Sequence, residues 1–253
     1  MKITQARNAT ILIEANGYGL LVDPFLGRKR RLPPFRIFTW PWRMNPLVDW
    51  PENREEILEK TTHCLITHRH PDHIDTAGMR WLGRQAVPVY CRPHDAGVLS
   101  RKGLRVSLIE TGIQPFLEGT IQPVKAQHGR GILGRLMGQV SGYFLELPGQ
   151  PSLYLASDTV LTEQVKDFLH RYKPDISVIP AGGARFDIGK EIIMGLSEAL
   201  AFARLTSGTV IANHLEALDH CRVSRDALKQ AVEQEGLESR FLIPGDGQSL
   251  DFS

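Results

Sequence analysis

The sequence predicts an α/β protein in which helices pack outside β-sheets. Three observations carry that expectation. The first half holds short β-forming runs joined by a strong hairpin turn. The second half alternates apolar strand-like runs with helical patterns. Three imidazoles and a carboxylate crowd into six residues directly after one apolar run, where rigid strand ends usually carry chemistry.

The elements follow in order. Thr10 to Glu14 alternates and is rich in β-formers, Asn16-Gly17 suits a two-residue turn, and Tyr18 to Val22 pairs back before Asp23-Pro24 stops the strand. Residues 28–50 hold five arginines, one lysine, five aromatics, four prolines and a single acid, Asp49. Nothing there is periodic, so a long loop is expected, and such loops in compact domains are functional or disordered. Asn53 is expected to cap a short helix through Glu59, with Glu55 and Glu56 near its positive end. Thr62 to Thr67 reads as a buried strand.

Further strands are expected at Val87–Cys91, Arg105–Leu108, Ile121–Val124, Tyr143–Leu147, Leu153–Ala156, Ile176–Pro180, Thr209–Ala212 and Phe241–Ile243. Helical patterns fall at Ala96–Lys102, Thr162–Tyr172, Gly195–Thr206 and Ser224–Glu235. The expected organisation is one domain over residues 1–253 with a loop insertion around 28–52.

Composition narrows the class. The 42% hydrophobic and 23% charged content is ordinary for a soluble globular protein. A net charge of +2 is too small to argue for nucleic acid as a partner. Cys64, Cys91 and Cys221 have no paired spacing, which fits a reducing compartment. The N-terminus lacks a signal-peptide core, and no apolar run approaches the roughly 18 residues that span a bilayer. A cytoplasmic protein without a transmembrane segment is expected. Oligomeric state is not readable.

The chemistry lies in Thr67-His68-Arg69-His70-Pro71-Asp72-His73. Neutral imidazole and carboxylate suit Zn²⁺ and similar divalent ions, and an open coordination position turns bound water into hydroxide near neutral pH. A two-metal hydrolytic site needs more ligands than this cluster gives. His128, Asp158 and His214 each come one to four residues after a short apolar strand, and they are the candidates for the rest.

With His68, His70, Asp72 and His73 forming a complete His-x-His-x-Asp-His motif, and His128, Asp158 (in Ser-Asp-Thr) and His214 following, the sequence resembles the metallo-β-lactamase-fold superfamily. Ala9 to Glu14 and Leu21-Val22-Asp23-Pro24 also resemble that superfamily's first hairpin. The resemblance covers nearly the whole chain and leans towards the branch of L-ascorbate-6-phosphate lactonase and N-acyl-phosphatidylethanolamine phospholipase D.

It implies an αββα sandwich of two mixed sheets with helices on the outer faces and metals at one edge between the sheets. It also implies that His68, His70 and His128 hold one ion, that Asp72, His73 and His214 hold the other, and that Asp158 bridges. The expected cofactor is two divalent ions, Zn²⁺ first, with Mn²⁺, Fe²⁺ or Ni²⁺ able to occupy the same set. A metal-bridging hydroxide would then hydrolyse an ester, lactone or phosphodiester, with Asp72 and Asp158 as catalytic carboxylates. Asp72 can also relay a proton.

Plainer readings stand beside these. Asp158 could cap the helix near Thr162. His220 rivals His214, and Glu216 could also enter the metal shell. Alternatively, His220 and Cys221 orient ligands or substrate. Asp23 is either a turn residue or the acceptor of a ligand histidine's second N–H. Asp75 reads as a helix start. His63, His94 and His170 read as surface or capping residues, and the three cysteines as buried small residues.

Trp40, Trp42 and Trp50 lie among Arg30, Arg31, Arg36 and Arg43, a mixture that suits a small anionic or lipid-like substrate at the site's mouth. Arg130 and Arg135, in a glycine-rich segment expected to be a flexible loop, are a second candidate anion contact.

A mononuclear-iron dioxygenase of the same fold is the alternative function. The flavin-linked di-iron branch is disfavoured, because it carries Glu where this chain has His70. A nuclease is disfavoured by the lack of an added domain and of a basic bias.

Overall fold

The computed structural model describes residues 1–252. The chain runs β1 (Lys2–Arg7), β2 (Thr10–Ala15), β3 (Tyr18–Val22), α1 (Arg54–Glu59), β4 (His63–Leu65), α2 (Thr76–Gln85), β5 (Pro88–Cys91), α3 (Pro93–Arg101) and β6 (Arg105–Leu108). It continues β7 (Gln114–Phe116), β8 (Gly119–Lys125), α4 (Gly131–Leu136), β9 (Ser141–Glu146), β10 (Leu153–Leu155), α5 (Glu163–Tyr172) and β11 (Ile176–Pro180). The last elements are α6 (Leu196–Leu205), β12 (Thr209–Asn213), α7 (Arg225–Gln234), β13 (Phe241–Leu242) and β14 (Ser249–Asp251).

The strands form two seven-stranded mixed sheets, ordered β14-β1-β2-β3-β4-β5-β6 and β13-β12-β11-β10-β9-β8-β7. Each joins an antiparallel half to a parallel half, with parallel pairing from β3 to β6 in one and from β10 to β13 in the other.

The strand period of two decides which side chains face which layer. Ile11, Ile13, Leu20 and Val22 point inward and meet Ile121, Leu145, Leu155 and Val178 of the second sheet. Leu12 and Leu21, one residue out of phase, face α1 and pack on Ile57 and Leu58. Leu82 of α2 and Leu99 of α3 cover the first sheet further along. The outer face of the second sheet is buried under Phe168 of α5, Phe202 of α6 and Leu228 of α7. This is the αββα sandwich of the resemblance.

Several expectations need correction. β1, β7 and β14 lie outside the expected strands, and of α2 only the start at Asp75 was expected. β1 buries Thr4, Gln5 and Arg7 among its apolar residues, so it lacks the apolar alternation of a strand. α2 contains two glycines, yet it starts on Asp75, whose carboxylate accepts the Gly78 N–H at 2.7 Å. The glycine-rich segment with Arg135 is not simply a loop, because Gly131–Leu136 forms α4, a short helix burying no side chain. Asn53 does not cap α1 through its side chain; its Nδ2 donates to the Gly247 carbonyl instead. The strand expected from Thr62 to Thr67 is only three residues long. The surface reading of two histidines holds: His63 is partly exposed between Tyr18 and Tyr90, and His94 is exposed, 3.3 Å from Asp95.

Residues 28–50 have no helix, but they are tied down. Asn45 and Asp219 bond reciprocally: Asn45 Nδ2 donates to the Asp219 carboxylate at 2.8 Å, and Asp219 N–H donates to Asn45 Oδ1 at 2.9 Å. The same carboxylate accepts the backbone N–H groups of Phe35 and Arg36.

The root of the loop is fixed by Arg7. This fully buried side chain donates to the carbonyls of Phe25, Gly27 and Val48 and lies against the rings of Phe25 and Trp50. Burial lowers the Arg7 pKa to about 10, which still leaves it charged at neutral pH. Replacing Arg7 with Met strands two buried carbonyl acceptors and a part-buried one, so a loss of about 3 kcal/mol or more is expected in chemical denaturation. A loss below about 0.5 kcal/mol would show that these bonds do not fix the loop root.

Candidate metal centre

Every sequence-predicted metal ligand sits just past a strand end. Motif residues 68–73 follow β4, His128 follows β8, Asp158 follows β10 and His214 follows β12. Asp23 follows β3 and makes the motif's anchor. Its carboxylate accepts the Thr67 N–H at 2.8 Å, the Thr67 hydroxyl at 2.7 Å and the His73 Nδ1–H at 2.7 Å. Of the two readings of Asp23, the structure shows the acceptor.

These bonds fix tautomers. The Thr67 hydroxyl spends its proton on Asp23, so it accepts from His68 Nδ1 at 2.9 Å and leaves His68 Nε2 as a lone pair. His128 Nδ1 faces the Ile192 carbonyl at 2.8 Å, which can only accept, so His128 Nε2 is also a lone pair. His214 Nδ1 lies 3.3 Å from Cys221 Sγ. The outer nitrogens of His68, His73, His128 and His214 are held, which leaves their inner nitrogens to point at a common centre.

Three ligand groups have donor atoms mutually within 4.8 Å: His68, His70 and His128; Asp72, His73 and His214; and His68, His73 and Asp158. The Asp158 carboxylate lies 3.2 Å from His73 Nε2, 3.3 Å from His128 Nε2 and 3.6 Å from His214 Nε2. His68 Nε2 faces His70 Nδ1 at 3.0 Å.

The fit to cations is visible in the polar atoms left over. His73 Nε2, His214 Nε2 and Asp158 Oδ1 are buried without a hydrogen-bond partner, which costs free energy unless something else satisfies them. Asp158 does not cap α5; Thr162 does, accepting the Val165 N–H.

Electrostatics divides the imidazoles. Burial lowers His68 well below the usual range and lowers His128, so both are neutral and ready to donate a lone pair. Burial also opposes charge on His73, but the Asp158 and Asp23 carboxylates outweigh it and raise His73 to about 10. His214 is raised well above its usual value, with burial outweighed chiefly by Asp158. Asp72 and Asp158 are held low against burial, by His214 and His73 for the first and by His73 and His214 for the second. Without a cation, protons on His73 and His214 balance the buried carboxylates.

The rivals fall outside the cluster. His220 is buried between Phe35 and Phe186, with its ring 6.3 Å from that of His214. Burial pushes His220 down to about 4, so it is neutral, and its Nδ1 has no partner. Glu216 is engaged by the Arg225 guanidinium at 2.7 Å. Arg130 spends its guanidinium on Glu198 at 2.7 Å and on the Leu161 carbonyl.

Two supports went unread in the sequence. Asn8 donates to the Asp72 carbonyl and accepts the His214 N–H, and its turn position between two strands was the available signal. Gly182 passes so close to His214 that an added Cβ would stand 1.9 Å from its carbonyl oxygen.

A family model described as the Beta-lactamase superfamily domain matches residues 18–214. The chain belongs to that superfamily. Its relatives include the UPF0173 protein YddR of Bacillus subtilis, 33% identical over all of both chains, and a UPF0173 metal-dependent hydrolase of Azorhizobium caulinodans, 28% identical over 99% of this chain and all of the other.

Among solved structures, an isothiocyanate hydrolase from Delia radicum gut bacteria is 30% identical with a TM-score of 0.91, covering 100% of this chain and 99% of that one. A possible metal-dependent hydrolase from Veillonella parvula is 26% identical with a TM-score of 0.91, covering 99% and 98%. Both match the sandwich along its full length. No helix among the described residues is long and apolar enough to cross a membrane.

Two outcomes are expected. Zn²⁺ titrated into the chain at pH 7 should release protons, because His73 and His214 would lose theirs on becoming ligands, and the share from His73 should fade as pH passes about 10. Calorimetry in buffers of different ionisation enthalpy measures this. Asp23→Asn should weaken metal affinity by roughly 10- to 100-fold by loosening His73.

Proposed function

We propose that this chain is a metal-dependent hydrolase that holds two divalent ions, zinc in the first instance, and hydrolyses an ester, lactone or phosphodiester. One observation carries the reading. The buried Asp158 carboxylate stands within 4.0 Å of imidazole nitrogens from both three-residue groups, His68 and His128 on one side and His73 and His214 on the other. In this reading His68, His70 and His128 hold one ion, Asp72, His73 and His214 hold the second, and Asp158 is shared. When bound, such ions supply Lewis acidity and a water acidic enough to serve as nucleophile near neutral pH.

The chain's own groups then have distinct tasks. Asp23 and the Ile192 carbonyl keep His73 and His128 turned inward. Asp72, 3.4 Å from His214 Nε2, is placed to take up or return a proton. His220, neutral and with an unpartnered Nδ1, offers a polar contact to substrate between the Phe35 and Phe186 rings. Because Arg130 is occupied by Glu198, an anionic substrate is better served by the basic residues of the 28–50 loop, which reaches the site through Phe35.

A second reading has a specific support. The isothiocyanate hydrolase covers this chain at 30% identity, and an isothiocyanate also offers an electrophilic carbon on an apolar substituent, suited to the Phe35 and Phe186 rings. The test is metal analysis combined with a panel of phosphodiesters, lactones, acyl esters and aryl isothiocyanates. His70→Ala and Asp158→Ala should each lose bound metal and lower kcat/KM by at least about a thousandfold. Two ions retained in His70→Ala would overturn the ligand assignment. A single iron per chain with oxygen consumption would instead establish the mononuclear-iron dioxygenase.

A further inference from the structure

Most of the chain's exposed apolar bulk collects on one face. Among the described residues, eight of the ten exposed large hydrophobic side chains fall in three segments: residues 28–50, helix α4 and the 187–189 turn. Trp40 is 81% exposed, Phe38 76%, Ile132 77%, Ile188 77%, Leu136 74% and Trp42 61%. Single exposed hydrophobics are ordinary, but a contiguous patch this size on a globular chain marks a contact surface.

The three segments form one surface. Asp187 accepts the Phe38 N–H and the Thr39 hydroxyl, and Arg36 lies 3.5 Å from the same carboxylate, so the 187–189 turn is bound to the loop. On its other side, Gly189 approaches Leu133 of α4 so closely that a Cβ would stand 3.3 Å from its Cδ2. The tryptophans are presented as apolar faces: the Trp42 indole N–H donates internally to the Ile37 carbonyl, and Trp40 packs edge-on against Trp42 at 6.1 Å. The surface borders the metal centre, because α4 begins just after His128 and Phe35 lies against His220.

Charge says what covers it. Residues 28–50, 129–139 and 184–192 contain ten of the chain's thirty lysines and arginines but only three of its twenty-eight acids. One of those acids, Asp187, is taken up within the patch. The remainder of the chain is therefore net acidic. A second copy of this face would bring like charges together, whereas an anionic lipid surface offers apolar depth for the rings and phosphates for the cations. Tryptophan side chains favour that boundary.

We propose that this face docks the protein on anionic membrane surfaces, with the side chains of Phe38, Trp40 and Trp42 entering the headgroup layer and the surrounding arginines contacting lipid phosphates. Docking turns the metal centre's mouth towards the bilayer. The proposal does not rest on the hydrolytic reading, since it uses no ligand residue.

The metal-loaded full chain is sedimented with phosphatidylcholine vesicles containing roughly one third phosphatidylglycerol, and with pure phosphatidylcholine vesicles as the control. Binding to the anionic vesicles alone is expected, with a blue shift of tryptophan emission and release by raised salt. The Trp40→Ala/Trp42→Ala variant should lose at least about tenfold in partitioning while metal content and the unfolding midpoint stay unchanged. Absence of binding, equal binding to neutral vesicles, or unchanged binding by the variant would each overturn the proposal. So would a concentration-dependent dimer abolished by the same variant, or salt-sensitive retention on polyglutamate without vesicle binding, which would assign the face to a second copy or to an acidic polypeptide.

Discussion

The centre of this molecule depends on one buried carboxylate surrounded by imidazoles. Asp158 is 2% exposed, lacks any hydrogen bond to Oδ1 and faces nitrogens of four histidines. A charge in that position is tolerable only when positive charge answers it. Protons on His73 and His214 can do so, and so can cations that displace them. The two states differ in where the positive charge sits, so the same arrangement that stabilises the metal-free chain makes it ready to exchange protons for metal.

The fold meets this demand by bringing strand ends from both sheets to one edge. β4 delivers the motif, β8, β10 and β12 deliver His128, Asp158 and His214, and β3 delivers Asp23 to hold the motif in place. Ends of strands suit the task because the backbone is rigid up to the last paired residue and then free to turn. His214 takes a positive φ of 58° immediately after β12, and Gly182 leaves room for its carbonyl. The site is therefore held by backbone geometry and by outward-facing nitrogen bonds, with Asp23, Ile192 and Cys221 each restraining one imidazole.

Much of this was legible in the sequence, for physical reasons. The motif and its three distant partners stood out because ligand chemistry restricts residue type, and strand ends announce themselves as apolar runs that stop. The hairpin at Asn16-Gly17 was legible because both turn residues take positive φ. β1 was not, since its partner β14 is distant in sequence and its buried Thr4, Gln5 and Arg7 make hydrogen bonds that no local pattern shows. Of α2 only the start at Asp75 was, because two glycines mask the rest of a helix that rests on that cap and on burial of Leu82. Asn8 and the Ile192 carbonyl could not be weighed, as their role exists only after the chain has folded around the site.

The Asn45–Asp219 bond pair divides the 28–50 loop into a fixed base and a projecting tip. The base carries Phe35 to its place beside His220, and its backbone N–H groups satisfy a largely buried carboxylate. The tip, from Ile37 to Met44, makes few bonds to the rest of the protein beyond Asp187. Sequence drift in the tip therefore leaves the ligand scaffold untouched. The loop behaves as a replaceable cassette, through which a lineage can change what its members meet at the surface without rebuilding the chemistry beneath.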